Sequence, residues 1–263
     1  MKIIVTIKQV PDPDIPPGHF KVDEAAKRIV PPSGVNPVMN GYDANALEAA
    51  LKLKEQHGGE VVALSLGAAE ARDTLKRALA MGATEAVLVS DPTFDQLDSF
   101  ATARVLAAAI KKLGDFDLIL SGRQASDTDA GQVHIGLAEL LGLPVVSPIQ
   151  AVEAADGGLK AQRIIEDGYQ VVQVPKPCLL GVSSEIGEPR YPPLRGIMQA
   201  GRAQIPVWTA ADLGLDAESL KPRRELGRLY VETRETQVEL IEADDPAEAG
   251  EKLALKLREA KLI

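Results

Sequence analysis

Asp117-Leu-Ile-Leu-Ser-Gly-Arg-Gln-Ala-Ser-Asp-Thr-Asp-Ala-Gly-Gln-Val-His-Ile-Gly-Leu-Ala-Glu-Leu-Leu-Gly142 passes from an apolar strand through a polar, small-residue loop into a helix. Val133, Leu137, Leu140 and Leu141 recur at helical spacing, and the pattern stops at Gly142, two residues before Pro144. Asp129-x-x-Gln132 has the shape of a capping box, which predicts a helix over 129–142. In open α/β sheets, ligands settle at the carboxyl ends of strands, where loops lead into helices. The unpaired N–H groups and dipole of such a helix start favour an anion, for example a phosphate. Read alone, the loop is more simply a capped, solvent-facing helix start. A ligand needs a second segment to argue for it.

Outward from this unit the pattern repeats. Strands are expected at 2–8, 60–66, 86–90, 117–121 and 145–147, with helices at 43–57, 69–81, 98–113 and 129–142. Helix 69–81 carries Ala71, Leu75, Ala78 and Leu79 on one face and stops at Gly82. Strands alternating with helices of this length indicate an α/β fold with a doubly wound parallel sheet. After Pro148 the runs 149–154, 159–166 and 169–175 are separated by Asp156-Gly157-Gly158 and Asp167-Gly168, which are hairpin signals. An antiparallel hairpin region is therefore added to the sheet, followed by the buried-strand pattern Cys178-Leu-Leu-Gly-Val-Ser-Ser184. Residues 201–245 are poorly periodic, and a terminal helix over 246–261 starts with Pro246 in its first turn. The expected division is an α/β domain over 1–200 and an extended C-terminal arm over 201–263. Leu213, Leu253 and Leu257 of that arm have no evident local core to join.

Composition narrows the function classes. The chain has 263 residues, and its aromatic content of 3% leaves the core to Val, Ile, Leu and Ala. A net charge of −9 argues against nucleic acid or an anionic membrane as main partner, although solubility alone would account for it. The single cysteine, Cys178, excludes an internal disulfide and any multi-cysteine metal site. Lys2-Ile-Ile-Val-Thr-Ile-Lys8 reads as a strand and not as a signal peptide, and no apolar run approaches the roughly 20 residues a bilayer requires. A cytoplasmic location is expected.

Neither catalytic nor metal-ligating constellations stand out. His19, His57 and His134 lie at unrelated positions. His57 is expected to cap a helix end, and His134, off the apolar stripe, to face solvent. No G-x-G-x-x-G or G-x-x-x-x-G-K-[ST] follows a strand. Asp127 and Asp129 would suit a ribose hydroxyl and a helix cap, leaving phosphates to the amides of Ala130, Gly131 and Gln132. The second segment, Val38-Met-Asn-Gly-Tyr-Asp-Ala-Asn45, has an Asn40-Gly41 turn signal and Asp43 as an expected N-cap. In a doubly wound sheet its helix start can face the same crevice, where strand one also opens. The third, Glu185-Ile-Gly-Glu-Pro-Arg-Tyr-Pro-Pro-Leu-Arg-Gly-Ile-Met198, is a proline-stiffened loop. It displays apolar residues that a plain linker would replace with Ser, Gly and charge, so a docking surface is favoured.

These segments resemble the β subunit of electron transfer flavoprotein along the full length of the chain. The carriers are Val5-Thr-Ile-Lys-Gln-Val-Pro-Asp12, Met39-Asn-Gly-Tyr-Asp43 with Ala49-Ala-Leu-Lys-Leu-Lys-Glu55, Ala78-Leu-Ala-Met-Gly-Ala83, Gly122-Arg-Gln-Ala-Ser-Asp-Thr-Asp129 and Glu188-Pro-Arg-Tyr191, followed by Leu194, Ile197 and Met198. The resemblance implies a Rossmann-like fold and a heterodimer whose α subunit holds the redox-active FAD. It implies an electron carrier subunit, no enzyme in itself, that serves flavin-dependent dehydrogenases such as acyl-CoA dehydrogenases. The implied adenine-nucleotide site takes Thr6 and Lys8 from strand one, and Asn40, Gly41, Tyr42 and Asp43 from the second segment. Gly67 and Ala71 follow the second strand. The remainder are Gly122, Arg123, Gln124, Asp127, Thr128, Asp129, Ala130, Gly131, Gln132 and Val133. Tyr191, Leu194, Ile197 and Met198 would form the partner-docking loop, with Leu194 as its anchor, and the C-terminal arm would wrap the α subunit.

Better-known members carry Asn-Pro-Phe where this chain has Asn40-Gly41-Tyr42. Lys8-Gln-Val-Pro-Asp12 and the Asp-x-Asp-x-x-Gln-Val pattern are more similar to the electron-bifurcating branch, in which a second FAD replaces AMP. The nucleotide here is thus AMP or a second FAD, with FAD favoured. Two other readings compete: a stand-alone nucleotide-binding or hydrolysing protein of similar fold, and a nucleotide-sensing module. The first lacks phosphate-loop glycines and a paired nucleophile and base. The second would need neither the docking loop nor a long arm.

Overall fold

The computed structural model describes residues 1–232 and 238–263. Thirteen strands and six α-helices follow one another along them. In chain order they are β1 Lys2–Thr6, β2 Gln9–Val10, β3 Lys21–Asp23, β4 Arg28–Val30, β5 Val38–Met39, α1 Gly41–His57, β6 Glu60–Leu66, α2 Ala71–Met81, β7 Glu85–Val89, α3 Ser99–Leu113, β8 Leu118–Gly122 and α4 Val133–Leu141. Then come β9 Val145–Ala155, β10 Gly158–Ile165, β11 Gly168–Pro175, β12 Cys178–Val182, α5 Leu194–Gly201, β13 Val207–Trp208 and α6 Pro246–Glu259.

Nine strands form one sheet in the order β11-β10-β9-β12-β8-β1-β6-β7-β13. From β9 to β13 every pairing is parallel, and β9, β10 and β11 form the antiparallel extension at one edge. The strand order runs outward from β1 through β6 to β7, then returns to β8 on the other side of β1. This reversal makes the carboxyl ends of β1 and β8 the topological switch point of a doubly wound, Rossmann-like sheet.

Side-chain alternation along β1 builds a core on each face. Ile3 and Val5 join Leu47, Ala50, Leu75 and Leu120 in one apolar cluster. Ile4 joins Leu64, Val105, Ile110, Ile119 and Leu137 in the other. Each fully buried Ile or Leu contributes roughly 1.5–3 kcal/mol relative to an exposed one. α2 is stopped by Gly82 at φ 127°, and α3 starts at Asp98, whose carboxylate accepts from Ala101 N at 2.8 Å.

Three local expectations are corrected. The helix expected over 129–142 starts only at Val133, with Gln132 as N-cap and no side-chain cap. The residues before it turn sharply instead, Asp129 having φ 51° and Gly131 φ 59°. Leu140 of the expected stripe is exposed, whereas Leu137 is buried. Leu213 does have a core to join: β13 pairs with β7, and Trp208, Leu213 and Leu215 lie against the second cluster, which also buries Ala210 and Leu220.

The chain divides into two compact units, residues 1–229 and 230–263. The second contains α6, whose N-cap Asp245 accepts from Ala247 N and Glu248 N at 2.8 and 2.9 Å. None of α6 is buried, and Leu253 and Leu255 are exposed. Among the described residues, no helix is long and apolar enough to cross a membrane.

Candidate functional site

β1 ends at the switch point, and the short antiparallel ribbon of β2 and β5 brings Met39 opposite Gln9. Asn40 therefore sits over the end of β1, its N–H donating to Lys8 O at 3.0 Å. Its side chain spans the crevice: Nδ2 donates to Gln124 O at 2.8 Å, and Oδ1 accepts from Ser126 N at 3.1 Å. Asp43, in the first turn of α1, accepts from Lys8 N at 2.8 Å and from Gly122 N at 3.1 Å. This corrects the expected N-cap role, because its carboxylate staples the ends of two neighbouring strands instead. Burial pushes the Asp43 carboxyl up to about 7, against the pull of these N–H donors.

The approach at Gly122 is tight. A Cβ there would stand 2.3 Å from Asp43 Oδ1 and 2.9 Å from the Tyr42 carbonyl carbon, so only glycine fits. Deeper in the crevice, Thr6 Oγ1 donates to Ser121 Oγ at 2.9 Å. At its mouth, Lys8 Nζ donates to both Asp127 oxygens at 2.7 Å, which neutralises a carboxylate beside the uncapped start of α4. Gln124 Nε2 donates to Asp129 Oδ1, which is the use that carboxylate finds in place of capping. The Arg123 guanidinium lies 5.8 Å from the centre of the Tyr42 ring.

Of the other expected site residues, Thr128, Ala130 and Gln132 are exposed on the loop and Val133 is half-buried. Gly131 is open, the nearest heavy atom to a Cβ there being Arg123 O at 3.7 Å. Ala71 is buried in the core, so it offers the crevice no surface, while Gly67 donates its N–H to Val89 O. A cleft of about 200 Å³ adjoins the crevice, lined by Val10, Pro13, Met39, Asn40, Gly41, Tyr42, Asn45, Ser126 and Ser184. The arrangement can accept an anion at the uncapped start of α4, with Arg123 nearby as a cation and Lys8 offsetting the charge of Asp127.

His134 is corrected as well. It is 5% exposed in the first turn of α4, with Nε2 2.8 Å from Ser147 Oγ. Burial, reinforced by Arg123, pushes its imidazole down to about 4, so it is neutral at pH 7. Sequence reasoning also missed Ser121, Ser126 and Asn45. A serine closing a buried strand, as Ser121 does after Leu120, was a usable signal. Nothing local marked the other two.

The loop before α5 presents Tyr191 at 89% exposure, and α5 itself presents Leu194 at 74%, with Ile197 and Met198 also exposed. Gly196 lets α5 press onto α2: a Cβ there would lie 2.3 Å from Ala80 O.

A doubly wound sheet with a polar crevice at its switch point and an apolar loop beside it defines a Rossmann-like α/β protein. Residues 29–213 match the model of the electron transfer flavoprotein domain. The chain is 41% identical over 220 residues to the caffeyl-CoA reductase–Etf complex subunit CarD of Acetobacterium woodii, covering 83% of this chain and 82% of that one. It is 40% identical to the electron transfer flavoprotein subunit beta of Clostridium acetobutylicum, covering 84% and 83%. Protein FixA of Azorhizobium caulinodans is 38% identical, with coverage of 82% and 78%. The chain belongs to the electron transfer flavoprotein family. It is an electron-transfer subunit of the β type.

Proposed function

We propose that this chain binds an adenine nucleotide at the β1–β8 switch point, pairs with an α subunit holding FAD, and docks flavin-dependent dehydrogenases through residues 185–200. One observation carries the nucleotide reading: Asn40 and Asp43 tie the start of α1 to the loop that leads into the uncapped start of α4. Phosphates are assigned to the N–H groups at Ala130, Gly131 and Gln132, and a ribose to the carboxylates Asp127 and Asp129. Thr6, Gly122 and Gln124 shape the crevice behind them. The redox-active FAD of the α subunit would supply the electron storage that lets such a carrier exchange with its partners.

Of AMP and FAD, we favour a second FAD in this chain. What supports this reading is the cleft lined by Val10, Gly41 and Tyr42, which adjoins the crevice and could receive a flavin ring. At about 200 Å³ it falls short of the roughly 300 Å³ or more usual for a small-molecule site, in keeping with completion by another chain. Acyl-CoA dehydrogenases are the proposed partner class and the cytoplasm the proposed location. Coexpression with the α subunit, followed by acid extraction and chromatography, tests the nucleotide. Two FAD per heterodimer are expected. One FAD and one AMP after reconstitution with excess FAD would leave a simple carrier.

A further inference from the structure

The loop from Gly187 to Pro193 contains no helix or strand of its own, yet α1 holds it at two points. Asn45 Nδ2 donates to Gly187 O at 2.7 Å. Arg190 then grips two carboxylates that lie two turns apart on α1. Its backbone N–H and Nε donate to Glu48 Oε2 at 3.1 and 2.7 Å, and Nη2 donates to Glu48 Oε1 at 3.0 Å. Nη2 also reaches Glu55 Oε2 at 3.1 Å, and Nη1 donates to Glu55 Oε1. The Glu48 side chain is only 6% exposed, and Lys52 Nζ lies 3.9 Å from its Oε1. A planar guanidinium bonded to two carboxylates fixes direction as well as charge, which a lysine cannot do. The next residue is Tyr191, the most exposed apolar side chain of the loop.

We propose that Arg190 is a positioning residue for partner docking: clamped to Glu48 and Glu55, it holds Tyr191 and Leu194 in their presented arrangement before a partner arrives. The inference rests on the docking reading of residues 185–200. A preordered loop spares the partner the entropy of ordering it, so the clamp acts on affinity and not on electron transfer once docked.

Arg190→Gln alone would strand the buried Glu48 carboxylate and could unfold the chain. Arg190→Lys, which keeps the charge, and the pair Glu48→Gln with Arg190→Gln, which removes both charges, avoid that. Each is compared with Leu194→Ala in the full heterodimer, reduced by an acyl-CoA dehydrogenase that serves the wild type. Both clamp variants are expected to raise the half-saturating dehydrogenase concentration about tenfold. The rate at saturation, flavin content and heterodimer should be unchanged, and amide exchange at residues 187–193 should quicken. Full rescue by Arg190→Lys, with Leu194→Ala impaired, would reduce Arg190 to a counter-charge and overturn the proposal. So would a lowered saturating rate at unchanged half-saturation. Normal half-saturation in Leu194→Ala would instead overturn the docking reading, and the clamp's role with it.

Discussion

His134 stands in the first turn of α4 with its ring against Ser147, where sequence pattern placed it in solvent. With a folded value of about 4 against an ordinary 6.5, it is neutral in the folded protein and takes up a proton on unfolding in mild acid. Its stability contribution is complete above pH 6.5 and is lost as pH falls toward 4, amounting to about 3 kcal/mol in all. His134→Gln should therefore flatten this part of the acid limb in urea denaturation midpoints measured from pH 4 to 7. A wild-type-like slope in the variant would show that the imidazole titrates normally. Gly122 makes a second residue-scale test. Gly122→Ala forces a methyl into Asp43 and Tyr42 and should cost about 1–3 kcal/mol by denaturation, with nucleotide content falling in parallel.

At the scale of elements, strands and helices were legible wherever periodicity was local. β6 spans 60–66 as expected, and the hairpins turn at both Asp-Gly signals. The start of α4 was not, because Asp129 has a good capping spacing but a left-handed backbone that turns the chain before the helix begins. Asp43 misled for another reason. Its true partners, Lys8 and Gly122, lie 35 and 79 positions away, beyond any local rule. The exposure of Tyr191, Leu194, Ile197 and Met198 was legible from the prolines and apolar residues of 185–200, whereas the Arg190 clamp was not. The proposed docking role of Leu194 yields a prediction. Leu194→Ala should weaken exchange with the dehydrogenase by on the order of 2 kcal/mol in half-saturation, yet spare the heterodimer. A normal dependence on partner concentration would remove Leu194 as the anchor.

For the whole molecule, the two apolar clusters draw, among the described residues, on positions up to Leu220. Residues 230–263 add a helix with no buried side chain. Cutting after Leu229 should leave the denaturation midpoint of the remainder near that of the full chain, while abolishing coelution with the α subunit on size exclusion. Retained coelution at low micromolar concentration would refute the arm's proposed role. The doubly wound parallel class followed from alternating strands and helices, whereas the strand order is known only from the structure. The use of residues 201–229 did not, because a two-residue strand such as β13 leaves no periodic trace.

Helix α1 begins under Asn40 at the crevice and carries Asn45, Glu48 and Glu55 to the loop before α5. If both proposed sites hold, seventeen residues serve two functions that selection would otherwise tune separately. A lineage that exchanges one nucleotide for another, and so shifts the first turn of this helix, changes at the same stroke how its dehydrogenase is met. Cofactor choice and partner choice should therefore drift together across descendants, and chimeras that swap the crevice loops without their own helix should be poor couriers.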